Sequence, residues 1–444
     1  MTPTLLAAIL AAIAAALFLA LCLRDRTAAI AVFAALLPTY LMRFNIPLPG
    51  LDGAGLPTTF LELLFLILFG CWFAADGRHP SAWRPLKRWM RPAILLLTGA
   101  TLAVFVSPEL RAAAGIWRAY FLEPLLFFVV FADTVKDRRQ IDIVLFGLGS
   151  GLAVVSLAAI YQKFTGFGIP NPVWQAAATR RVTSFFGYPN AVSLYAVPVI
   201  VLLAARAFSL LRSKIKMARI VGAGAALAAA LGVLAILFAV SEGGAIALAA
   251  GLLVLGLLLK PLRAATLSAI IVACLVISLY RPVTDYAAGI YSLRDDSGSV
   301  RLIVWQESLA MLADHPVFGA GLAGYQQALA PYHQAKHIEI FMYPHNLVLN
   351  FWSEIGLIGL VGFLWLVVLA VIANVRLVLS GRSGWLAPAL LAALAALLVH
   401  GLVDVPYFKN DLAMIFWLLI GLTETAATIA QGTKPTPTLK PETT

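Results

Sequence analysis

The sequence predicts an all-α polytopic membrane protein with twelve or thirteen transmembrane helices and one large outer loop containing amphipathic helices. Three observations lead there. Of 444 residues, 61% are hydrophobic and 12% charged, with a mean hydropathy of +0.92, which is more apolar surface than a soluble fold of this length can cover. Apolar runs long enough to cross a bilayer, about 17–25 residues for a helix, recur from end to end, and lipid leaves backbone polar groups no partner outside a helix. The short alternating segments of a membrane barrel are absent.

The first run, Leu5–Leu23, follows no basic residue and is longer than the apolar part of a secretion signal, so it reads as a retained helix. Only Arg24-Asp25-Arg26 separates it from the next run, which leaves the count at twelve or thirteen. Short basic connectors follow: Arg78, Arg84, Lys87, Arg88 and Arg91; Lys136, Arg138 and Arg139; Arg212, Lys214, Lys216 and Arg219; Lys260 and Arg263; Arg376 and Arg382. With Arg24, Arg26, Lys434 and Lys440 they hold twenty of the 32 Lys and Arg and mark the cytoplasmic side by the positive-inside rule. The loops near 43–58, 107–115, 165–190, 241–244, 282–345 and 403–410 then face out.

This divides the chain into an N-terminal helix bundle (1–281), a large outer loop (282–345), C-terminal helices (346–430) and a polar, proline-rich tail (431–444) expected to be disordered. Cys22, Cys71 and Cys274 lie in or at the ends of apolar runs and read as packing residues, not disulfides or metal ligands. No repeat of fixed period appears, which disfavours an inverted-repeat transporter.

The outer loops hold eight arginines (Arg43, Arg111, Arg118, Arg180, Arg181, Arg281, Arg294, Arg301) and three lysines (Lys163, Lys336, Lys409) on the side where the rule expects few. Snorkelling to head groups accounts for any single one. The set, with its bias to arginine, suits bidentate recognition of phosphate.

In the large loop, Val300, Ile303, Val304, Leu309 and Leu312 give Ser299–Ala313 an amphipathic pattern, ended by Asp314-His315-Pro316. Gly319-Ala-Gly-Leu-Ala-Gly324 lacks the Lys-Ser/Thr of a P-loop, so a flexible turn is preferred over a phosphate cradle. His79 falls in a cytoplasmic loop and His315 in a turn. His333 and His337 are four apart, but Glu339 is the sole carboxylate near them in sequence, too little for a metal site. His400 and Asp404, also four apart at the outer end of an apolar helix, read equally as a functional pair or a hydrogen-bonded structural one.

The remaining histidine carries the most information. Pro344-His345-Asn346, nine mostly apolar residues, then Gly356-Leu-Ile-Gly359 place an imidazole at the mouth of an apolar helix after a polar loop, where a membrane protein would do acid–base chemistry. This stretch resembles the His-(Asn/Ser/Gln)-x9-Gly-x-x-Gly signature of the O-antigen ligase family, whose relatives include O-antigen polymerases and bacterial protein O-oligosaccharyltransferases. Further similarity lies in Arg181-Val-Thr-Ser-Phe-Phe-Gly-Tyr-Pro-Asn190, Arg301-Leu-Ile-Val-Trp305, Asp314-His-Pro-Val-Phe-Gly-Ala-Gly321 and His400-Gly-Leu-Val-Asp-Val-Pro406, so the resemblance spans roughly residues 180–427. One departure stands out: family members often carry Ser-Arg where this chain has Ser241-Glu242.

The resemblance implies a glycosyltransferase that moves O-antigen polysaccharide from undecaprenyl pyrophosphate to the lipid A core on the periplasmic side of the inner membrane. It implies inversion at the anomeric carbon, while the lack of an Asp-x-Asp type pair in the outer loops points to a reaction with no metal, and no cofactor is expected. His345 would be the general base and Arg301 the catalytic cation. Arg111, Arg118, Arg180, Arg181, Asn346, His337 and Asp404 would bind substrate. The expected partners are the undecaprenyl pyrophosphate-linked glycan, the lipid A-core acceptor and membrane lipids, with no nucleic acid. The outer acids Asp52, Asp285, Asp295, Asp296, Asp314, Glu339 and Asp404 are scattered, with Asp295-Asp296 the one adjacent pair. Arg43, in a separate short loop, is expected to matter less than Arg301. Polymerase and oligosaccharyltransferase activity remain alternatives. A small-anion transporter would need polar groups at mid-membrane depth, where Glu62 and Glu123 are the main candidates.

Overall fold

The computed structural model describes residues 3–47, 55–279, 284, 289 and 296–432. Asp52, Arg281, Asp285, Arg294, Asp295 and the tail 433–444 lie outside the described residues. The chain is almost entirely helical. In order come α1 (Pro3–Arg24), α2 (Arg26–Ala35), a hairpin of β1 (Arg43–Pro47) and β2 (Gly55–Thr59), α3 (Phe60–Trp72), α4 (Met90–Val106), α5 (Leu110–Ile116), α6 (Glu123–Thr134), α7 (Arg138–Thr165), α8 (Pro172–Gln175), α9 (Pro189–Leu211), α10 (Lys216–Ala239), α11 (Glu242–Leu258) and α12 (Arg263–Leu279). After the large loop begins come α13 (Asp296–Asp314), α14 (Tyr325–Leu329), α15 (Leu347–Leu379), α16 (Leu386–His400) and α17 (Asn410–Gly432).

Seven helices are long and apolar enough to cross a membrane, or nine if each of two sharply bent pairs counts as one span. The chain is a multi-pass membrane protein. The expected twelve or thirteen crossings are not reached by this measure among the described residues. Sequence counting took every apolar run as a crossing, whereas Arg26–Ala35 and Leu386–His400 fall short of the roughly 20 residues a perpendicular span needs.

The basic connectors gather at one end of the bundle. There Arg26 pairs with Asp76 at 2.7 Å, the Trp72 indole donates to Asp133, and the Trp89 indole donates to Glu424. Arg206, overlooked in the loop count because it lies inside α9, makes a two-pronged pair with Asp142, 2.6 Å on each side. Such bidentate geometry neutralises a cation at helix depth.

The opposite end is built differently. The 43–59 loop folds as an antiparallel hairpin with Arg43 opposite Thr59 and Ile46 opposite Leu56. It delivers Thr59 as the N-cap of α3: the Thr59 hydroxyl accepts from the Glu62 N–H while the Glu62 carboxylate accepts from the Thr59 N–H. Glu62 is therefore at a helix end, not at mid-membrane depth. Beneath this end, Phe351 stacks on Phe363 with centroids 3.9 Å apart, and buried Tyr407 packs on both while its hydroxyl donates to the Tyr120 carbonyl. That aromatic layer fixes the 401–409 loop against α15.

α15 is broken at Gly356, whose φ of 68° and ψ of −178° interrupt the helix. The break lets Leu357 N–H reach the Val317 carbonyl and Ala320 N–H reach that of Ser353. A Cβ at position 356 would lie 2.3 Å from the Val317 oxygen, one at Gly99 would lie 2.3 Å from the Gly359 nitrogen across the α4–α15 contact, and one at Gly359 would meet the Ile355 side chain of its own helix. The two glycines of the signature are thus packing and backbone requirements. The glycine-rich loop is likewise accounted for: its Leu322 and Ala323 N–H groups bond to the Ala103 carbonyl and the Glu354 carboxylate, so this run is a tightly packed strap between α4 and α15.

Candidate active site

His345 occupies the junction between the large loop and α15. Asn346 explains the second letter of the motif. Its Oδ1 accepts from the N–H groups of Val348 and Leu349, capping the helix, and its Nδ2 donates to the Leu402 carbonyl. Leu347 N–H adds a bond to the Gly401 carbonyl at 2.7 Å, so the starts of α15 and of the 401–409 loop are stitched together. Asn346 thus positions the start of α15 against the 401–409 loop.

This stitching sets His345 against Asp404. Nδ1 of the imidazole is 3.6 Å from Oδ1 of Asp404, an ion-pair contact longer than a hydrogen bond. The other carboxylate oxygen accepts from Asn190 Nδ2 at 3.2 Å, and Oδ1 accepts from the Val405 N–H at 2.9 Å. Burial by itself would raise the Asp404 pKa, but the His345 imidazole, His400 and the Val405 N–H hold it below the usual carboxylate range. The Asp404 side chain is 2% exposed and that of His345 23%. A buried carboxylate thus backs an imidazole that still reaches the surface, the arrangement that lets the far nitrogen act as a base.

The ring is walled by Tyr343, 4.6 Å away between centroids, and Phe341 at 5.2 Å. His345 itself has φ of +50°, left-handed backbone that is costly for a side-chain-bearing residue. The Trp305 indole, donating to the Pro344 carbonyl, secures the strained turn from α13. Among the described residues, the non-glycine positions with such backbone are Ser184, Val240, Ala323 and His345, all at this end of the bundle.

Arg301, on α13, donates from Nε to the Val403 carbonyl at 3.1 Å, which places its guanidinium beside the residue before Asp404. Arg181 donates to the Ala239 and Val240 carbonyls and, at 3.4 Å, to the Asn190 amide oxygen, so it is one residue removed from Asp404. Glu242, at the position where relatives often carry an arginine, acts electrostatically on Arg181. Arg180 is drawn elsewhere, bonding the Gln175 and Lys163 carbonyls, and the structure does not bring it to His345.

Arg111 and Arg118 line a separate cavity of about 690 Å3 under the hairpin, together with Arg43, Tyr120 and Asn410. Arg118 is already paired with Glu62 at 3.0 Å and Glu123 at 3.3 Å, and Arg111 donates to the Gly55 carbonyl. Arg43, expected to matter less than Arg301, is on the wall of this cavity. His337 is exposed in the loop after α14 and the contacts of His333 run to Glu307 and to the Ile338 carbonyl, both at 3.0 Å. The His333–His337 pairing suggested by spacing is not formed, because α13 supplies Glu307 from 26 residues away. His400 is 2% exposed and packs behind Asp404. Asn190, Tyr343 and Lys409 were not singled out as site residues. Asn190 ends a matched sequence block, the one signal that marked it.

A family model described as O-antigen ligase matches residues 227–364, which include Arg301, His345, Asn346 and the two signature glycines. No curated protein matches the chain. Over this stretch, with His345 and Gly356 within it, the chain is similar to the O-antigen ligase family, and the match supports membership in it.

Proposed function

We propose that this chain is a glycosyltransferase that moves an O-antigen glycan from undecaprenyl pyrophosphate to a sugar hydroxyl of the lipid A core, on the periplasmic face of the inner membrane. The observation that carries the reading is the His345–Asp404 pair, an imidazole backed by a buried carboxylate within reach of the exposed loop. The family match supplies the class of activity, and the pair supplies a mechanism.

Asp404 steadies the imidazole through Nδ1, which leaves Nε2 to take the proton of the acceptor hydroxyl. The acceptor oxygen attacks the anomeric carbon as the bond to the donor phosphate breaks, and that electron pair leaves on the pyrophosphate. In-line attack inverts the anomeric centre. The growing negative charge on the leaving group needs preorganised cations, which Arg301 supplies beside Val403, with Arg111 and Arg43 in the adjoining cavity. The end that bears the basic connectors is the cytoplasmic one under this reading, so the reaction faces out.

The lipopolysaccharide of a strain lacking the protein tests it. Loss of the whole O-antigen ladder with an intact core is expected for a ligase. A core bearing a single repeat would identify a polymerase instead, and an unchanged ladder would remove both.

A further inference from the structure

Lys409 connects the two clusters of site residues. It stands between the 401–409 loop and α17, half-buried, with its ammonium over the face of Tyr188, 4.0 Å from the ring centroid. The Tyr188 hydroxyl accepts from the Tyr343 hydroxyl at 3.1 Å, and the Tyr343 ring lies 4.6 Å from that of His345. A short chain of contacts therefore runs from Lys409 to the imidazole. On the other flank the next residue, Asn410, lines the cavity that holds Arg43, Arg111 and Arg118.

The charge around Lys409 is unbalanced. Burial and the positive field of Arg43 lower its pKa, while Asp411 and Asp404 act in the opposite sense. Neither acid is within ion-pair distance of the ammonium, and among the described residues its Nζ has no hydrogen-bond acceptor. Asp404 is committed to His345, Asn190 and Val405, and Arg118 consumes Glu62 and Glu123. A half-buried ammonium resting on a ring face, near a second cation, is held at a cost that a bound anion would relieve.

We propose that Lys409, with Arg43 on the wall of the cavity that Asn410 also lines, is a phosphate-binding subsite that holds the pyrophosphate of the lipid-linked donor at the boundary between the arginine cavity and the His345–Asp404 pair. This rests on the glycosyl-transfer reading above. A phosphate seated on Lys409 places the sugar it carries toward Tyr343 and His345 and the second phosphate toward Arg43 and Arg111. Tyr188 and Tyr343 then form the wall between leaving group and base.

The test is binding of undecaprenyl pyrophosphate to the purified full-length protein in lipid nanodiscs, with undecaprenol as the uncharged comparator. Lys409→Gln is expected to lower affinity for the pyrophosphate about tenfold or more, the range for losing one charge-assisted contact, and to leave undecaprenol binding unchanged. Lys409→Arg is expected to retain most of the affinity, and His345→Ala all of it. Wild-type affinity for the pyrophosphate in Lys409→Gln overturns the subsite while leaving the transfer reading intact. Equal loss of both lipids in Lys409→Gln and Lys409→Arg overturns it as well, since that marks a structural role. A wild-type protein that binds the pyrophosphate no better than undecaprenol would instead remove the donor reading, and the subsite with it.

Discussion

His345 and Asp404 meet at the mouths of two different helices, Nδ1 of one 3.6 Å from Oδ1 of the other, and the contact exists because Asn346 and Leu347 bond the backbone at Leu402 and Gly401. The carboxylate is the buried partner and the imidazole the reachable one, which fits the roles proposed for them, one orienting and the other transferring the proton.

Asp404→Asn is expected to lower glycan transfer by on the order of 10²-fold or more, because a neutral amide neither orients nor stabilises a protonated imidazole. Asp404 has a depressed pKa in the folded protein. The stability it contributes is therefore present above its unfolded value of about 3.9 and is lost as pH falls through the lower folded value. Thermal unfolding of wild type and Asp404→Asn should differ by a constant amount from pH 5 to 8 and converge only under strong acid. Convergence near neutral pH would show that Asp404 is not held charged by its neighbours.

The left-handed backbone at His345 separates its chemical role from its structural one. His345→Gly relieves strain that His345→Ala retains, so the glycine variant should be more stable by about 1 kcal/mol, with neither transferring glycan. Melting temperatures in detergent rank the two. An alanine variant as stable as the glycine one would remove strain from the account, and transfer by either variant would remove the base.

Arg301→Ala should reduce transfer by about 10²- to 10³-fold, the scale for removing one charge stabiliser from a developing oxyanion. Arg301→Lys should restore only part, since its Nε bond to Val403 and its fork cannot both be reproduced by a point charge. Lys336, exposed at the same end and bonded to the His333 carbonyl, is the proper control for general surface charge. Arg43 is not, given its place in the cavity wall. Equal losses in Arg301→Ala and Lys336→Ala would reduce the site to a diffuse positive field.

The helical membrane architecture was legible because apolar runs and basic connectors are local signals, and so was His345, whose motif is contiguous. Asp404 was within reach because it lies one helical turn beyond His400. What the sequence hid was partnership across distance. Glu307 claims His333 from 26 residues away, Glu62 and Glu123 claim Arg118, and Asp142 claims Arg206 from 64 residues away. Cation counts therefore overstated how many arginines are free to meet a substrate. The 43–59 hairpin was hidden for a related reason: a short two-stranded element at a bundle end is held by Thr59 capping α3 and by Arg111 and Arg118 donating to the Gly55 and Pro57 carbonyls more than by its own pattern.

The same partnerships bear on whether a divalent ion takes part. At the His345 end Glu62 is committed to Arg118 and Thr59, Asp404 to Asn190 and Val405, and Glu307 to His333, Gln334 and Ala335. Burial would raise the Glu307 pKa, yet His333 and those two N–H groups hold it low, so it serves as a charged tie within the loop. A metal holding a pyrophosphate usually takes one or two carboxylates plus substrate oxygens. Asp295-Asp296 is the adjacent acidic pair in the sequence, although neighbours on a helix point about 100° apart; Asp295 lies outside the described residues. Transfer from undecaprenyl pyrophosphate-linked glycan is expected to proceed unchanged in EDTA and to gain nothing from added magnesium or manganese. If chelation stops turnover and either metal restores it, charge on the leaving group is neutralised by an ion, Asp295→Asn and Asp296→Asn become the variants of interest, and the arginines and Lys409 are reduced to placing the donor.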